Sequence, residues 1–240
     1  MAHTLHSQES TKGRSRDEST PSGGALRRRD FLRRAPLSGL AVLGALPLAG
    51  AITGCGLGAA QRTDFHVLRD PGADAAAAPG PRIDQVLMLA AVAMPGLYDS
   101  DRMVFSADGR SRSYFQFGYW SERPAQALQV LAEARLARAQ RFREVVLSTS
   151  GVRGDLLLTL RLDELYLDAS VNPSQVRLVV SAELLDWRSR KLLGRRVFRQ
   201  AAEAIPADAG GVAQAADMAV AVLLGELVDF AATRAAAAAA

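Results

Sequence analysis

The chain has 240 residues, of which 49% are hydrophobic and 22% charged, so its composition is globular and excludes a disordered tail or a coiled coil. Its formal net charge is +4, but the excess lies in residues 1–54, which hold eight of the 29 basic and four of the 25 acidic residues. The rest of the chain has 21 of each and is neutral. A neutral body argues against a groove that follows nucleic-acid phosphates.

Histidine and cysteine are too few for most catalytic and metal centres. The chain has three histidines, of which only His66 lies outside the N-terminal segment, and one cysteine, Cys55. A single cysteine cannot form an internal disulfide, and the two residue types cannot assemble a zinc-type cluster. Ser/His/Asp or Cys/His catalysis would have to use His66. We therefore predict no metal, no cofactor and no catalytic residue.

Residues 1–54 are predicted to be an export signal. Residues 27–34 (RRRDFLRR) are basic and residues 35–54 carry no charge, which is the pattern of a signal peptide. The basic segment also resembles the twin-arginine motif, in which two arginines and one further residue precede Phe and Leu. The matching residues are Arg28, Arg29, Phe31 and Leu32.

The residues around the cysteine predict a lipid anchor. Ile52, Thr53 and Gly54 followed by Cys55 resemble a bacterial lipobox, whose small residues allow cleavage and whose thiol receives diacylglycerol. The alternative is an uncleaved transmembrane anchor, because about 20 apolar residues can span a bilayer. Either anchor places the body outside the cytoplasm. Gly56 is not acidic, which by resemblance to enterobacterial lipoprotein sorting favours the outer membrane, while the inner membrane stays open as an alternative.

The body after the signal is predicted to be one α+β domain, an antiparallel β-sheet with two amphipathic helices packed on it. Alternating leucines at 156–162 indicate a half-buried strand, and Asp108-Gly109 between two strand-like runs indicates a hairpin. Ser121 is the predicted cap of the first helix. The predicted elements, in chain order, are strands at 63–68, 83–92, 102–106 and 113–119, a helix at 121–142, strands at 144–148, 156–162, 176–184 and 192–201, and a helix at 209–233.

The predicted organisation has three parts after the signal. Residues 55–82 are a lipidated tether with a short strand and a Pro/Ala/Gly linker, and residues 83–234 are the α+β domain. Residues 235–240 are a poly-alanine tail that is expected to bury nothing.

Several segments together resemble a known family. They are the lipobox cysteine, residues 94–104 (MPGLYDSDRMV), the hairpin that ends in Tyr119-Trp120, residues 120–131 (WSERPAQALQVL) and a late helix near Met218. In this order they look like the ABC-type transport auxiliary lipoprotein family, over about residues 60–232. Two features depart from the family pattern. In the loop, Tyr98 lies one place later after the proline and Ser100 is inserted into the Asp-Arg pair. The export signal resembles a twin-arginine signal, where a general secretory signal is more usual.

The resemblance implies a non-enzymatic subunit anchored in the outer membrane and facing the periplasm. Its implied partners are an MCE-domain protein and an ABC permease and ATPase, and the implied cargo is lipid or another hydrophobic molecule. A ring-like homo-oligomer is also implied by the resemblance alone. Two alternatives remain: an envelope assembly or scaffold lipoprotein, and an exported enzyme, which would need a catalytic cluster that the sequence does not offer.

Two aromatic residues, Tyr98 and Trp187, are the candidate partner contacts. Tyr98 lies in a segment that could form an apolar lip, because Met and Tyr suit adaptable contact surfaces, or it could close the core. The residues of this lip are Met94, Pro95, Leu97, Tyr98 and Met103. Trp187 is at a predicted hairpin turn, where an exposed contact and a packed position are equally compatible with the sequence. Trp120 is predicted to pack onto the sheet.

Overall fold

The structure, a computed structural model, describes residues 63–74 and 80–239. The predicted signal peptide, the lipobox and Cys55 lie outside these residues, as do positions 75–79 of the linker and Ala240. All described residues belong to one unit of the fold, Cys55–Ala240.

The described residues form a mixed sheet and two helices. In chain order the elements are β1 (Asp64–His66), β2 (Ile83–Leu89), β3 (Arg102–Ser106), β4 (Ser113–Trp120), α1 (Pro124–Arg138), β5 (Phe142–Leu147), β6 (Leu156–Asp168), β7 (Gln175–Asp186), β8 (Leu192–Glu203) and α2 (Ala209–Ala239). The α+β class and the two helices therefore agree with the sequence prediction.

The prediction of an antiparallel sheet is wrong for four of the seven strand pairs. The pairs β3–β4, β6–β7 and β7–β8 are antiparallel, as hairpins must be. The pairs β1–β4, β2–β5, β2–β6 and β3–β6 are parallel. Parallel partners need a longer connection, and the one between β2 and β5 runs through β3, β4 and α1.

Strand β6 organises the sheet because both of its edges are used. One edge pairs with β7 along its whole length. The other edge pairs with β2 at Leu156–Leu158 and with β3 at Leu167 and Asp168. Between β2 and β3 the chain leaves the sheet, apart from a bridge between Ala93 and Arg161, and forms the loop 94–101. The path of β6 therefore decides where that loop lies.

Both helices pack on one face of the sheet, against the buried leucines of β6 and β7. The strand residues of this face include Leu158, Leu160 and Leu184, and the helices contribute Leu128 and Leu223, all of them almost inaccessible to solvent. Each such side chain gains about 1.5–3 kcal/mol on burial. The opposite face of β6–β8 carries the polar residues of the alternating pattern.

Helix α1 is shorter at both ends than the prediction. It begins at Pro124, with Arg123 as an N-cap that makes no side-chain capping bond, and Ser121 instead donates its backbone N–H to His66 O at 2.8 Å. The helix ends before Gln140, whose φ of +50° is left-handed, and Phe142 opens β5. The predicted cap is wrong because the helix begins at Pro124, which puts Arg123 and not Ser121 at the N-cap position.

Helix α2 is longer than the prediction. It runs through the alanine run to Ala239, and Ala235 is completely buried. The expectation that the tail from residue 235 buries nothing is therefore wrong at its first residue. Alanine has the highest helix propensity of all residues, so the helix continues where no cap stops it.

The β3–β4 turn is held by one aspartate. The Asp108 carboxylate accepts hydrogen bonds from the backbone N–H groups of Arg110 (2.8 Å) and Ser111 (2.7 Å), and Gly109 takes the left-handed conformation with φ of +74°. Hydrogen bonds from the Ser111 and Arg110 backbones lower the pKa of Asp108 from 3.8 to about 2. The hairpin predicted from Asp108-Gly109 is thus confirmed, and the hydrogen bonds to Asp108 hold its turn.

We expect Asp108 to give the protein a pH-dependent contribution to stability. Because the folded-state pKa of Asp108 is depressed to about 2, the contribution is complete above the unfolded pKa of 3.8 and is lost as pH falls through about 2. In urea unfolding, the wild-type protein should exceed the Asp108→Asn variant in free energy of unfolding at neutral pH. The difference should shrink between about pH 4 and pH 2. A constant difference across that range would contradict the assignment.

Candidate functional site

The two predicted contact residues lie far apart and do not form one site. Tyr98 packs against Tyr166 near the end of β6, whereas Trp187 follows Asp186, the partner of Leu156 at the start of β6. Ten residues of strand at about 3.3 Å each separate these positions by roughly 33 Å. The two surfaces are therefore considered separately.

Tyr98 closes a second, small core on the open face of the sheet. Its side chain is 8% exposed and packs with Val104 and Tyr166, with Met94 and Tyr114 partly buried beside them. The Tyr114 hydroxyl donates to Leu97 O at 3.0 Å and so fastens the loop. This is the core-closing role that the sequence left as the alternative.

An arginine covers this small core. The Arg112 guanidinium lies 3.7 Å from the centroid of the Tyr166 ring, and its Nε donates to the Tyr98 hydroxyl at 3.4 Å. Burial raises the pKa of Tyr166.

The residues of the predicted apolar lip do not form one surface. Met103 is fully buried in the main core, whereas Leu97 is exposed.

Truncating Tyr98 should loosen the loop more than removing its hydroxyl. Tyr98→Ala deletes a buried ring and should lower the free energy of unfolding by about 2–4 kcal/mol, near the range for large aromatic truncations. Tyr98→Phe loses only a long hydrogen bond and should cost less than about 1 kcal/mol. Urea unfolding measures both values, and hydrogen exchange at residues 94–101 shows where the protein opens. Equal effects of the two variants would contradict the packing role.

An aspartate beside this core is held as a carboxylate. Asp168 accepts hydrogen bonds from the Ser170 hydroxyl and from the Ser170 N–H at 3.1 Å, and Arg177 lies at 3.4 Å. The Ser170 hydroxyl is the main cause of a lowered pKa of Asp168. These contacts fix the β6–β7 turn.

The open face of β6–β8 forms a shallow groove of about 490 Å³. Its charged residues are engaged with one another: Arg195 pairs with Glu183 at 2.6 Å, and Asp163 binds both Arg161 and the Ser181 hydroxyl. The lining residues are Ala93, Thr159, Leu160, Arg161, Ser181, Glu183, Arg195 and Val197. The groove is polar and locally neutralised.

Trp187 lies at the β7–β8 turn and is 36% exposed. The Arg190 guanidinium stacks over its ring at 3.7 Å. The sequence identified the tryptophan as a candidate but missed this partner. The signal was present in residues 188–191 (RSRK), which place several cations at one turn. Trp120, by contrast, is buried in the main core, as predicted.

Two further observations concern chemistry and membranes. Across residues 63–74 and 80–239, no three His, Cys, Asp or Glu side chains are grouped as a metal site would require. Within the same residues, no helix combines the length and the apolar character needed to cross a membrane.

Fold and surfaces together define a small α+β domain that places two helices on one face of a mixed sheet and presents loops and a polar groove on the other. The chain belongs to the family of ABC-type transport auxiliary lipoprotein components, whose sequence profile matches residues 66–228. No curated protein matches the chain significantly.

Solved structures share this fold at low sequence identity. Protein XCC0632 from Xanthomonas campestris is 17% identical with a TM-score of 0.67, and the match covers 73% of this chain and 98% of that one. An uncharacterized protein is 12% identical with a TM-score of 0.54, covering 69% of this chain and 98% of the other. Both matches concern the fold alone.

Proposed function

We propose that this chain is a non-enzymatic, lipid-anchored periplasmic accessory subunit of an ABC transport system that includes an MCE-domain protein. The system would move lipids or other hydrophobic molecules across the envelope. The observation that carries the proposal is the family match, which extends from His66, the last residue of β1, to Val228 within α2. The match therefore includes α1 and all of the strands β2–β8.

The anchor in this proposal is Cys55 in the outer membrane. Its thiol would carry diacylglycerol and its amino group an acyl chain such as palmitate. Each buried CH₂ contributes about 0.8 kcal/mol, and two or more chains together give stable anchoring. The lipobox residues before Cys55 and the non-acidic Gly56 after it support this location.

The open face supports an interaction role. The charged residues of its groove bind one another across neighbouring strands, as Arg195 of β8 binds Glu183 of β7. Exposed apolar side chains, Leu97 on the loop and Val197 on β8, offer contact area on that side of the sheet.

Site-specific crosslinking in the native envelope tests the transport role. A photo-crosslinking residue is placed at Leu97 or at Val197, with the control at Val130, an exposed residue of α1. Capture of an MCE-domain protein or its permease from the first two positions, and not from Val130, is the expected result. Capture only of outer-membrane or cell-wall assembly proteins would replace transport with the scaffold role.

The export route is a separate part of the proposal. Replacing Arg28 and Arg29 by Lys should leave the precursor uncleaved in the cytoplasm, because the twin-arginine motif requires both arginines. The matched control replaces Arg33 and Arg34 by Lys, which keeps the same charge outside the motif. Precursor mass and cell fractionation measure the result. Normal maturation of the first variant would indicate the general secretory route.

A further inference from the structure

The β7–β8 turn concentrates exposed cations around an exposed tryptophan. We call residues 187–192 (WRSRKL) the basic tip. It contains Arg188, Arg190 and Lys191 within four positions, and the Arg188 side chain is 90% exposed. Trp187 is 36% exposed and Leu192 46% exposed. The tip therefore presents apolar and basic groups together.

The acidic residue at the base of the tip is committed to the turn. Asp186 Oδ1 accepts hydrogen bonds from the Ser189 N–H at 2.6 Å and from the Ser189 hydroxyl at 2.9 Å. Of the three cations of the tip, Asp155 approaches Arg188 alone, at 3.8 Å, and it also binds Arg143 of β5 at 3.4 Å. Among the described residues, no carboxylate forms an ion pair with Arg190 or Lys191. These two cations are thus available to an outside anion, and Arg188 has only the one long contact.

Arg190 has an uncommon backbone conformation in this turn. Its φ of +61° is left-handed, a region that favours glycine or asparagine. In this conformation the guanidinium stacks on Trp187, so the strained residue holds a cation against the ring.

More exposed residues of the same character lie on the neighbouring loop. The Trp187 N–H donates to Asp155 O at 2.8 Å, which ties the turn to the end of the β5–β6 loop. That loop exposes Val152 and Arg153. A projecting hairpin end with apolar and basic side chains fits a flat surface better than a pocket.

We propose that the basic tip docks on an anionic phospholipid surface. The ring of Trp187 and the side chain of Leu192 enter the headgroup layer, and Arg188, Arg190 and Lys191 bind lipid phosphates. Tryptophan prefers the membrane–water interface, and basic residues are attracted to anionic headgroups. The alternative partner is an acidic protein, and the binding test includes polyglutamate to detect it.

This contact is distinct from the predicted lipid anchor. The chain enters the domain at Asp64, which pairs with Gly118, and Gly118 lies against Ala209 at the start of α2. The base of the tip, at Gly194, lies against Arg234 near the end of α2. The 25 residues of helix between these points span about 38 Å. The tip therefore lies at the end of the domain away from the entry of the chain.

Vesicle binding tests the proposal, and its result does not depend on the transport partner. The core clusters of the described residues lie within positions 68–236, so residues 55–240 with Cys55→Ser carry their own core. Phosphatidylcholine vesicles with and without phosphatidylglycerol are compared, and brominated lipid serves as a quencher of tryptophan fluorescence. The chain has two tryptophans and Trp120 is buried, so quenching reports on Trp187.

The expected result is binding to the anionic vesicles with quenching of Trp187. Replacing Arg188, Arg190 and Lys191 by Gln should weaken binding by at least about tenfold, because one basic residue contributes about fivefold at such a surface. The control replaces Arg69, Arg110 and Arg199 by Gln, which removes the same charge elsewhere and should change binding less than about twofold. Equal weakening in the control, or binding without quenching, would overturn the proposal. So would binding to polyglutamate without binding to vesicles, which would indicate an acidic protein.

Discussion

Replacing Cys55 by Ser should release the protein from the membrane. The proposed anchor holds two or three acyl chains on this residue, each worth about 0.8 kcal/mol per buried CH₂, so its loss removes nearly all membrane affinity. The described part of the chain has no helix that could span a bilayer in its place. Membrane fractionation after a high-salt wash measures the change, and Thr53→Ser, which keeps a small residue in the lipobox, is the matched control.

Two results would contradict the anchor, and they can be told apart by mass. Membrane retention of an uncleaved Cys55→Ser chain would support the alternative, in which residues 35–54 stay as a transmembrane segment. Retention of a cleaved chain would show that another surface holds the protein. If salt released that chain, the basic tip would be the first candidate, since attraction to anionic lipid weakens with ionic strength.

The pairing of strands that follow one another in the chain was predictable, because a tight turn between two strands makes them antiparallel partners. The Asp108-Gly109 turn and the leucine alternation of β6 gave the hairpins correctly. The parallel pairs were not predicted, because the two-residue period is the same for parallel and antiparallel strands. The one available signal was β2, whose nearly continuous apolar run is typical of parallel strands covered on both faces.

Helix ends were less predictable because distant contacts decide them. Ser121 has the right chemistry for a cap, but the helix begins only at Pro124, and the Ser121 N–H binds His66 O on β1, more than fifty positions earlier in the chain. Near the end of α2, Ala235 is fully buried. Its burial was not predictable, because a run of alanines shows no apolar stripe on one side of a helix. Both errors come from tertiary packing.

The same reason separates Tyr98 from Trp187. Both lie in segments that the sequence predicts to be turns, and both could have been exposed. The loop 94–101 folds back over Tyr166, a residue of β6 far along the chain, and this contact buries Tyr98. Trp187 stays at the tip of its hairpin, where its main contact is Arg190, three residues away. Sequence alone identified the aromatic residues but not the contacts that determine their exposure.

Breaking the ion pair between Asp70 and Arg135 should strongly destabilise the domain. Arg135 on α1 binds both carboxylate oxygens of Asp70, at 2.9 and 2.7 Å. The Asp70 side chain is only 2% exposed and that of Arg135 only 14%. The Asp70 carboxylate also accepts the Gly72 N–H at 2.9 Å. Asp70→Ala leaves a nearly buried guanidinium without its partner and should lower the free energy of unfolding by about 3 kcal/mol, at the low end for buried pairs because Arg135 keeps some solvent contact.

A surface pair in the same domain provides the control. Asp99 and Arg123 are 3.2 Å apart, but both side chains are about half exposed, so Asp99→Ala should cost no more than about 1 kcal/mol. The double variant Asp70→Ala/Arg135→Met removes the stranded charge and should be more stable than Asp70→Ala alone. Urea unfolding of the variants gives these differences. If Asp70→Ala and Asp99→Ala had equal effects, the pair would not be what fastens the segment after β1 to α1.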